Sequence, residues 1–325
     1  MKKHWKMITL YILIVTVFVS LIYMYPSTTE NDVWEIVLIT KTNDQENGFW
    51  NTLRKGAEMS AQEHGVRLEI KGPESESDIF EQNRLIMEAI EEKPDAIVLA
   101  AADMEKTMPA ALKIKENGIR LILIDSGLKE KIEDAMIGTD NFKAGIRMGA
   151  ELKKYVGKDG KLAIISFVSN AKSAIDRERG VRKVFNGEED RILETQYCNS
   201  DAKMAYEQTK KMLEKNPDIG AIAGLNQYSA EGAARAVVEL GRKGKVKIVG
   251  IDNSKMQIHY LEEGVFEALV VQKAINMGYL GVEKAVDILE GRNVALNTDS
   301  GSLLVNKENM YIGMYQKALF PFLEE

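Results

Sequence analysis

One cysteine, Cys198, stands among 325 residues. No disulfide can form within the chain, and paired-cysteine metal or redox motifs are excluded. Histidine is also sparse. His4, His64 and His259 are scattered, and none shares a metal-ligand spacing with another. GxSxG, the P-loop and a GxGxxG behind a strand are all missing, so the usual grounds for hydrolase, nucleotide or dinucleotide chemistry are absent. The expectation is no metal, no cofactor and no enzyme activity. Excess positive charge is lacking too. The formal net charge is −6, which argues against nucleic acid as a partner, and the one basic run, RKGKVK at 242–247, reads as a solvated turn. Low-complexity tracts and short repeats do not occur.

What is present is a globular composition, 45% hydrophobic and 28% charged, on a chain long enough for two lobes. Residues 1–7 are cationic, and about 18 uncharged, mostly apolar residues follow at 8–25, closed by Pro26. That length is close to what spans a bilayer. No small-residue cleavage pattern follows, nor a cysteine to accept a lipid, and the lysines precede the apolar run. The reading is an uncleaved anchor at 8–25, with 1–30 as cytoplasmic start, span and linker, and 31–325 outside the membrane. Cleavage within 20–29 is the alternative.

From residue 34 the pattern alternates. Short β-branched runs (WEIVLIT 34–40, VRLEIKG 66–72, PDAIVLAA 94–101, IRLILIDS 119–126, AMIGTD 135–140) are separated by helical stretches at about 49–64, 79–92, 104–118 and 141–157. The cycle resumes with strands KLAIISF, RILETQY, DIGAIAGL, VKIVGID and FEALVVQ, and helices over 176–187, 201–216, 228–241, 254–263 and 273–290. Strands alternating with helices mean βαβ units and parallel sheets. About ten strands fit two doubly wound lobes better than one sheet.

In such sheets ligands bind beyond the carboxyl ends of the strands, where helix N-termini also point. Asp125 ends LILID, and Asp140 and Asn141 follow MIGT. Asn226 and Gln227 follow IAGL, Asp252 and Asn253 follow IVGI, and Gln272 follows LVV. Asn47, Phe49 and Trp50 lie behind IVLIT, and Arg177 and Arg179 lie on the helix behind IISF. Taken singly, each aspartate could be a helix cap, Asn226 a turn residue, the arginines partners of Glu178, and the aromatic pair core. Together they are carboxylates, amides and a guanidinium gathered at one kind of position. Such a set suits a sugar, whose hydroxyls both donate and accept and whose C–H face packs on aromatics.

The pieces NGFW (47–50), LIDS (123–126), IGTDN (137–141), DRERG (176–180), LNQ (225–227), VGIDN (249–253) and VVQ (270–272) come in an order that resembles the ribose- and galactose-type periplasmic sugar-binding proteins. Those proteins share their two-lobed fold with the ligand domain of lac-repressor-type regulators. LLVNKENM resembles their closing strand. The resemblance implies a type I periplasmic binding protein fold. Lobe 1 would cover about 34–138 and 273–301, lobe 2 about 139–272 and 302–320, joined by a hinge of three strands. It implies that Asn47, Asp125, Arg177, Asn226, Asp252 and Gln272 hydrogen-bond a sugar, that Phe49 and Trp50 stack on it, and that Asp140 and Asn141 sit at the first crossing near ligand or hinge. Three positions depart from the pattern. Ser126 stands where pentose binders usually have Arg, Gln227 where Asp is common, and YCNSD (197–201) offers only Tyr197 where a stacking aromatic is expected from the second lobe. The implied ligand is a monosaccharide, a pentose such as xylose or ribose before galactose or glucose. The implied partner is a membrane histidine kinase, favoured by the peptide anchor, with an ABC permease as the alternative.

Overall fold

The computed structural model describes residues 33–157 and 160–321, with Tyr11 and Thr16. Apart from those two positions the anchor expected at 8–25 lies outside the described residues. Among the described residues no helix is long and apolar enough to cross a membrane.

The apolar runs become two six-stranded sheets. The first is ordered β2-β1-β3-β4-β5-β11, built from β1 (Glu35–Ile39), β2 (Arg67–Lys71), β3 (Ala96–Leu99), β4 (Arg120–Ile124), β5 (Ala135–Gly138) and β11 (Asn297–Asp299). All its pairings are parallel. The second is ordered β7-β6-β8-β9-β10-β12, from β6 (Lys161–Ser166), β7 (Gln196–Tyr197), β8 (Ile219–Gly224), β9 (Lys247–Ile251), β10 (Phe266–Gln272) and β12 (Ser302–Asn306), with β12 alone antiparallel. The inner strands read as unbroken apolar runs because both faces are covered. In β1, Ile36 and Leu38 join one core cluster and Val37 and Ile39 another, on the opposite face.

The two sheets have the same layout, and the helices extend the match. In the first lobe α1 (Gly48–His64) crosses α9 (Ala274–Leu289), and in the second α5 (Lys172–Val184) crosses α4 (Asn141–Lys153). Both crossings depend on glycine. A Cβ on Gly56 would fall 2.0 Å from the Ile275 carbonyl oxygen, and one on Gly278 1.9 Å from that of Leu53. The other pair is equivalent: Gly180 against the Phe142 oxygen at 2.3 Å and Gly145 against that of Arg177 at 2.1 Å. Gly56 and Gly180 hold the same place along their helices, as do Gly278 and Gly145. The lobes are thus architectural copies, although no sequence repeat is apparent.

The remaining helices are α2 (Ile79–Glu92), α3 (Met108–Glu116), α6 (Ala202–Lys215), α7 (Gln227–Glu239), α8 (Lys255–Glu262) and α10 (Gly313–Leu319). Three expectations need correction. The strand expected from RILETQY shrinks to the two residues of β7, because Glu189–Arg191 forms a 3-10 turn. The helix expected from 176 begins at Lys172. The helix expected from 104 begins at Met108, because Asp103 closes a turn on the amides of Glu105 and Lys106. The chain passes between sheets after β5, after β10 and after β11.

Candidate ligand-binding site

The carboxyl ends of β1, β4, β6, β8, β9 and β10 face one small cavity of about 20 Å³. That volume suits about one water. A six-membered ring is too large for that space.

Of the expected residues, Asn47, Phe49, Trp50, Asp125, Arg177, Asn226, Asp252 and Gln272 all line the cavity. Several are also caps, so the two readings of each coexist. The Asn47 side chain accepts from Trp50 N at 3.0 Å at the start of α1, and Asn226 makes a capping box with Ser229 at the start of α7. Asp125 and Asp252 follow β4 and β9, equivalent strands of the two sheets, and both adopt left-handed backbone, φ 59° and 80°. Aspartate tolerates this region better than bulky residues do. Strained backbone of this kind gathers at ligand clamps.

Arg177 is the hub. Its Nε donates to Asn141 Oδ1 at 2.7 Å, one terminal nitrogen to the Leu225 carbonyl at 2.8 Å, and the other to Gln272 Oε1 at 3.0 Å. Asp125 Oδ1 lies 3.9 Å away. Gln272 Nε2 then donates to Asp252 Oδ1 at 2.8 Å, and Gln227 N to Asp252 Oδ2 at 3.1 Å. Burial pushes the Asp252 carboxyl up to about 6 against the opposing pull of Arg177 and Gln272.

Two expected residues do not reach the cavity. Asp140 caps α4, accepting from Lys143 N at 3.0 Å and pairing with the Lys143 ammonium. Its amide donates to Asp299 Oδ1 at 3.2 Å, so it belongs to the crossing. Asn141 is buried behind Arg177 and orients it. Tyr197 is corrected as well. Its hydroxyl donates to Glu178 at 3.0 Å and it is not part of the lining. The aromatic from the second lobe is Phe167, the residue after β6, with Lys41 Nζ 5.9 Å and the Arg177 guanidinium 5.7 Å from its ring centre.

Sequence reasoning also missed Lys41, Glu76 and Ser173, and it named Gln227 without assigning it to the ligand. Lys41 is only 2% exposed. Its ammonium donates to Asp125 Oδ2 at 2.6 Å and to Ser173 Oγ across the cleft at 3.2 Å. It follows β1 as closely as the expected residues follow their strands, but a lysine at a strand end is ordinarily solvated. Phe167 had the same positional signal and was read as strand.

Two of the departures from the family pattern make bonds between lobes. Ser126 Oγ accepts from Ser173 N at 3.3 Å, and Gln227 Oε1 from Gly48 N at 3.0 Å. Met104 N donates to the Asn170 carbonyl at 2.9 Å, and the Tyr228 hydroxyl to Asp44. Three carboxylates and two cations line the cavity. The balance is close to neutral and each charge has a partner, which suits a neutral polyhydroxyl ligand over an anionic one.

The glycine crossings give a test. Adding a methyl at Gly145 or Gly278 meets backbone oxygen, so each Ala variant should lose about 1–3 kcal/mol of stability. Gly145→Ala also displaces the backbone of Arg177 and should weaken ligand binding, whereas Gly278→Ala, packed on Leu53, should not. Denaturant melts and binding titrations on both variants check this, and equal binding losses would break the link to Arg177.

Residues 36–293 match the family of periplasmic binding protein domains. The D-ribose/D-allose-binding protein of Pseudomonas aeruginosa is 29% identical over 283 residues, covering 85% of this chain and 88% of that protein. A crystal structure of a sugar transporter from Clostridium phytofermentans shares 48% identity with a TM-score of 0.80, covering 85% of this chain and 99% of its own. An ABC transporter solute binding protein from Agrobacterium vitis with bound D-fucose shares 32% identity with a TM-score of 0.84, covering 88% and 99%.

Proposed function

Because the chain belongs to the periplasmic binding protein domain family, a family of extracytoplasmic, non-enzymatic binding proteins, we propose that it captures a neutral monosaccharide between its lobes and delivers it to an ABC sugar permease. The observation that carries this is the convergence of Asp125, Asp252, Arg177, Asn226, Gln272 and the Phe49–Trp50 pair on one cavity. The lobes of the proposal are 34–138 with 273–301 and 139–272 with 302–320, closing about the three crossings. Asn47, Asp125, Arg177, Asn226, Asp252 and Gln272 hydrogen-bond the sugar. Phe49 and Trp50, set edge to face with centroids 4.9 Å apart, meet its apolar face opposite Phe167. Relatives named for binding ribose or allose support the ligand class, and those named for ribose import or as an ABC transporter solute binding protein favour delivery to a permease. A second reading, signalling to a membrane histidine kinase, is favoured by one observation: the apolar run 8–25 with no cysteine behind it, a peptide anchor that would hold the protein beside one partner.

Thermal unfolding of the full-length chain with D-ribose, D-allose, D-xylose, L-arabinose, D-galactose, D-glucose and D-fucose tests the ligand. A sugar at 100 times its Kd adds about 2.7 kcal/mol of stability, so one sugar should raise the midpoint by several degrees. No shift with any of them would overturn the monosaccharide reading. A deletion strain separates the partners: lost uptake of the identified sugar supports the permease, and intact uptake with lost sugar-induced transcription supports the kinase.

A further inference from the structure

Glu76 lies in the loop between β2 and α2, buried, where the sequence shows only a polar turn before a helix cap. Its two oxygens serve different lobes. Oε1 accepts from the indole Nε1 of Trp50 at 2.6 Å in its own lobe. Oε2 accepts from the hydroxyl of Ser200 in the other lobe, and Ser200 Oγ accepts in turn from Asn226 Nδ2 at 3.2 Å. A continuous path of hydrogen bonds therefore crosses the cleft, from a cavity aromatic on one side to a cavity amide on the other. Ser200 is delivered by two consecutive residues in left-handed backbone, Asn199 and Ser200, φ 51° and 57°. Such conformations persist where the surroundings hold them in place. Glu76 also lines the cavity directly, so its carboxylate is within the space that a ligand in the closed cleft occupies.

We propose that Glu76 is a further ligand-binding residue that doubles as the clasp between the lobes. In the closed form its carboxylate takes a hydroxyl of the sugar while holding Ser200, so the contact with ligand and the contact between lobes share one group. Opening must break both. The clasp acts on escape more than on capture, because it forms only after the lobes meet. The ligand half rests on the monosaccharide reading, and the clasp half does not. A carboxylate at this wall also disfavours sugar phosphates and uronic acids by like-charge repulsion.

The test uses the full-length chain with Glu76→Ala, Glu76→Gln, Ser200→Ala and Trp50→Phe, and the sugar with the largest effect in the panel, D-allose and D-ribose first. Glu76→Ala should weaken binding by about 10- to 100-fold, mostly as faster dissociation with association nearly unchanged. Ser200→Ala should raise dissociation by a smaller factor. Trp50→Phe removes the bond within the lobe and trims the ring that meets the sugar, so it should weaken binding by itself, but it should leave the added effect of Ser200→Ala in place. Spin labels on the outer faces of the two lobes give the second readout: without sugar, Glu76→Ala should shift the distances toward the open form. A dissociation rate in Glu76→Ala within twofold of the parent overturns the ligand half. Identical distance distributions in parent and Glu76→Ala overturn the clasp half, and they remain decisive if the parent binds no sugar of the panel, an outcome that itself overturns the monosaccharide reading and the ligand half with it. A fall in midpoint with dissociation unchanged would reduce Glu76 to a structural support of Trp50 and overturn both.

Discussion

Asp252→Ala should abolish monosaccharide binding, by about 100-fold or more, while the protein still folds. Two charge-assisted acceptor positions disappear, each worth about 1.5–3 kcal/mol, and isothermal titration reads the loss. The conservative variant Asp252→Asn separates binding from stability. The Asp252 carboxyl is held up to about 6 in the folded chain, from an ordinary 3.8. A carboxyl that ionises less readily in the folded state favours folding while it is protonated. That contribution is present below about 3.8 and is lost as pH rises through about 6. The rise corresponds to about 3 kcal/mol. An asparagine has no such loss. The stability of Asp252→Asn relative to the parent should therefore climb by about 2 kcal/mol between pH 4 and pH 7.5, whatever the fixed cost of mismatching its amide with Gln272 Nε2 or Gln227 N. Urea melts at both pH values measure the difference, and a flat difference would mean that Asp252 does not bear the cost of burial.

Arg177→Met should act in the opposite sense on stability. The guanidinium satisfies Asn141, Leu225 and Gln272 at once and is the near charge that opposes the burial of Asp252. Without it, Asp125 keeps Lys41 and Asp252 keeps no cation in the network. Breaking a buried ionic cluster from one side costs about 3–5 kcal/mol, which for a chain of this size lowers Tm by roughly 4–7 °C. Arg177→Lys should recover little, because one ammonium cannot serve three acceptors in a fixed fork. A midpoint within 2 °C of the parent in Arg177→Met would show that the network relaxes around the loss.

The sequence made the alternation legible, because parallel strands covered on both faces must be apolar throughout and the helices between them amphipathic. It made eight lining residues legible through one rule, that ligand groups follow strands. The rule failed where it was applied only to residues that look like sugar binders. Lys41 and Phe167 obey it and were passed over on residue type. Glu76 does not obey it. Its place depends on a loop folding over the cleft to meet Ser200, which no local pattern encodes. Tyr197 was only what the resemblance offered as the second lobe's aromatic, and its hydroxyl goes to Glu178 instead. The paired glycines were invisible as a repeat because the match is one of place along a helix, carried by two residues in each copy.

Three short segments join the lobes, and they are stapled to one another: Lys273 N to the Gly301 carbonyl at 3.1 Å, Ser300 N to that of Gly138 at 2.9 Å, and Asp140 N to Asp299. Stretches far apart in sequence thus share one narrow axis. Under the proposed closure, the relative motion of the lobes would reduce to nearly a single coordinate, and the stereochemistry of a captured ligand would be compressed into one angle. A partner docking on the closed form would then read that angle and not the sugar, so selectivity could change inside the cleft without any change in the message.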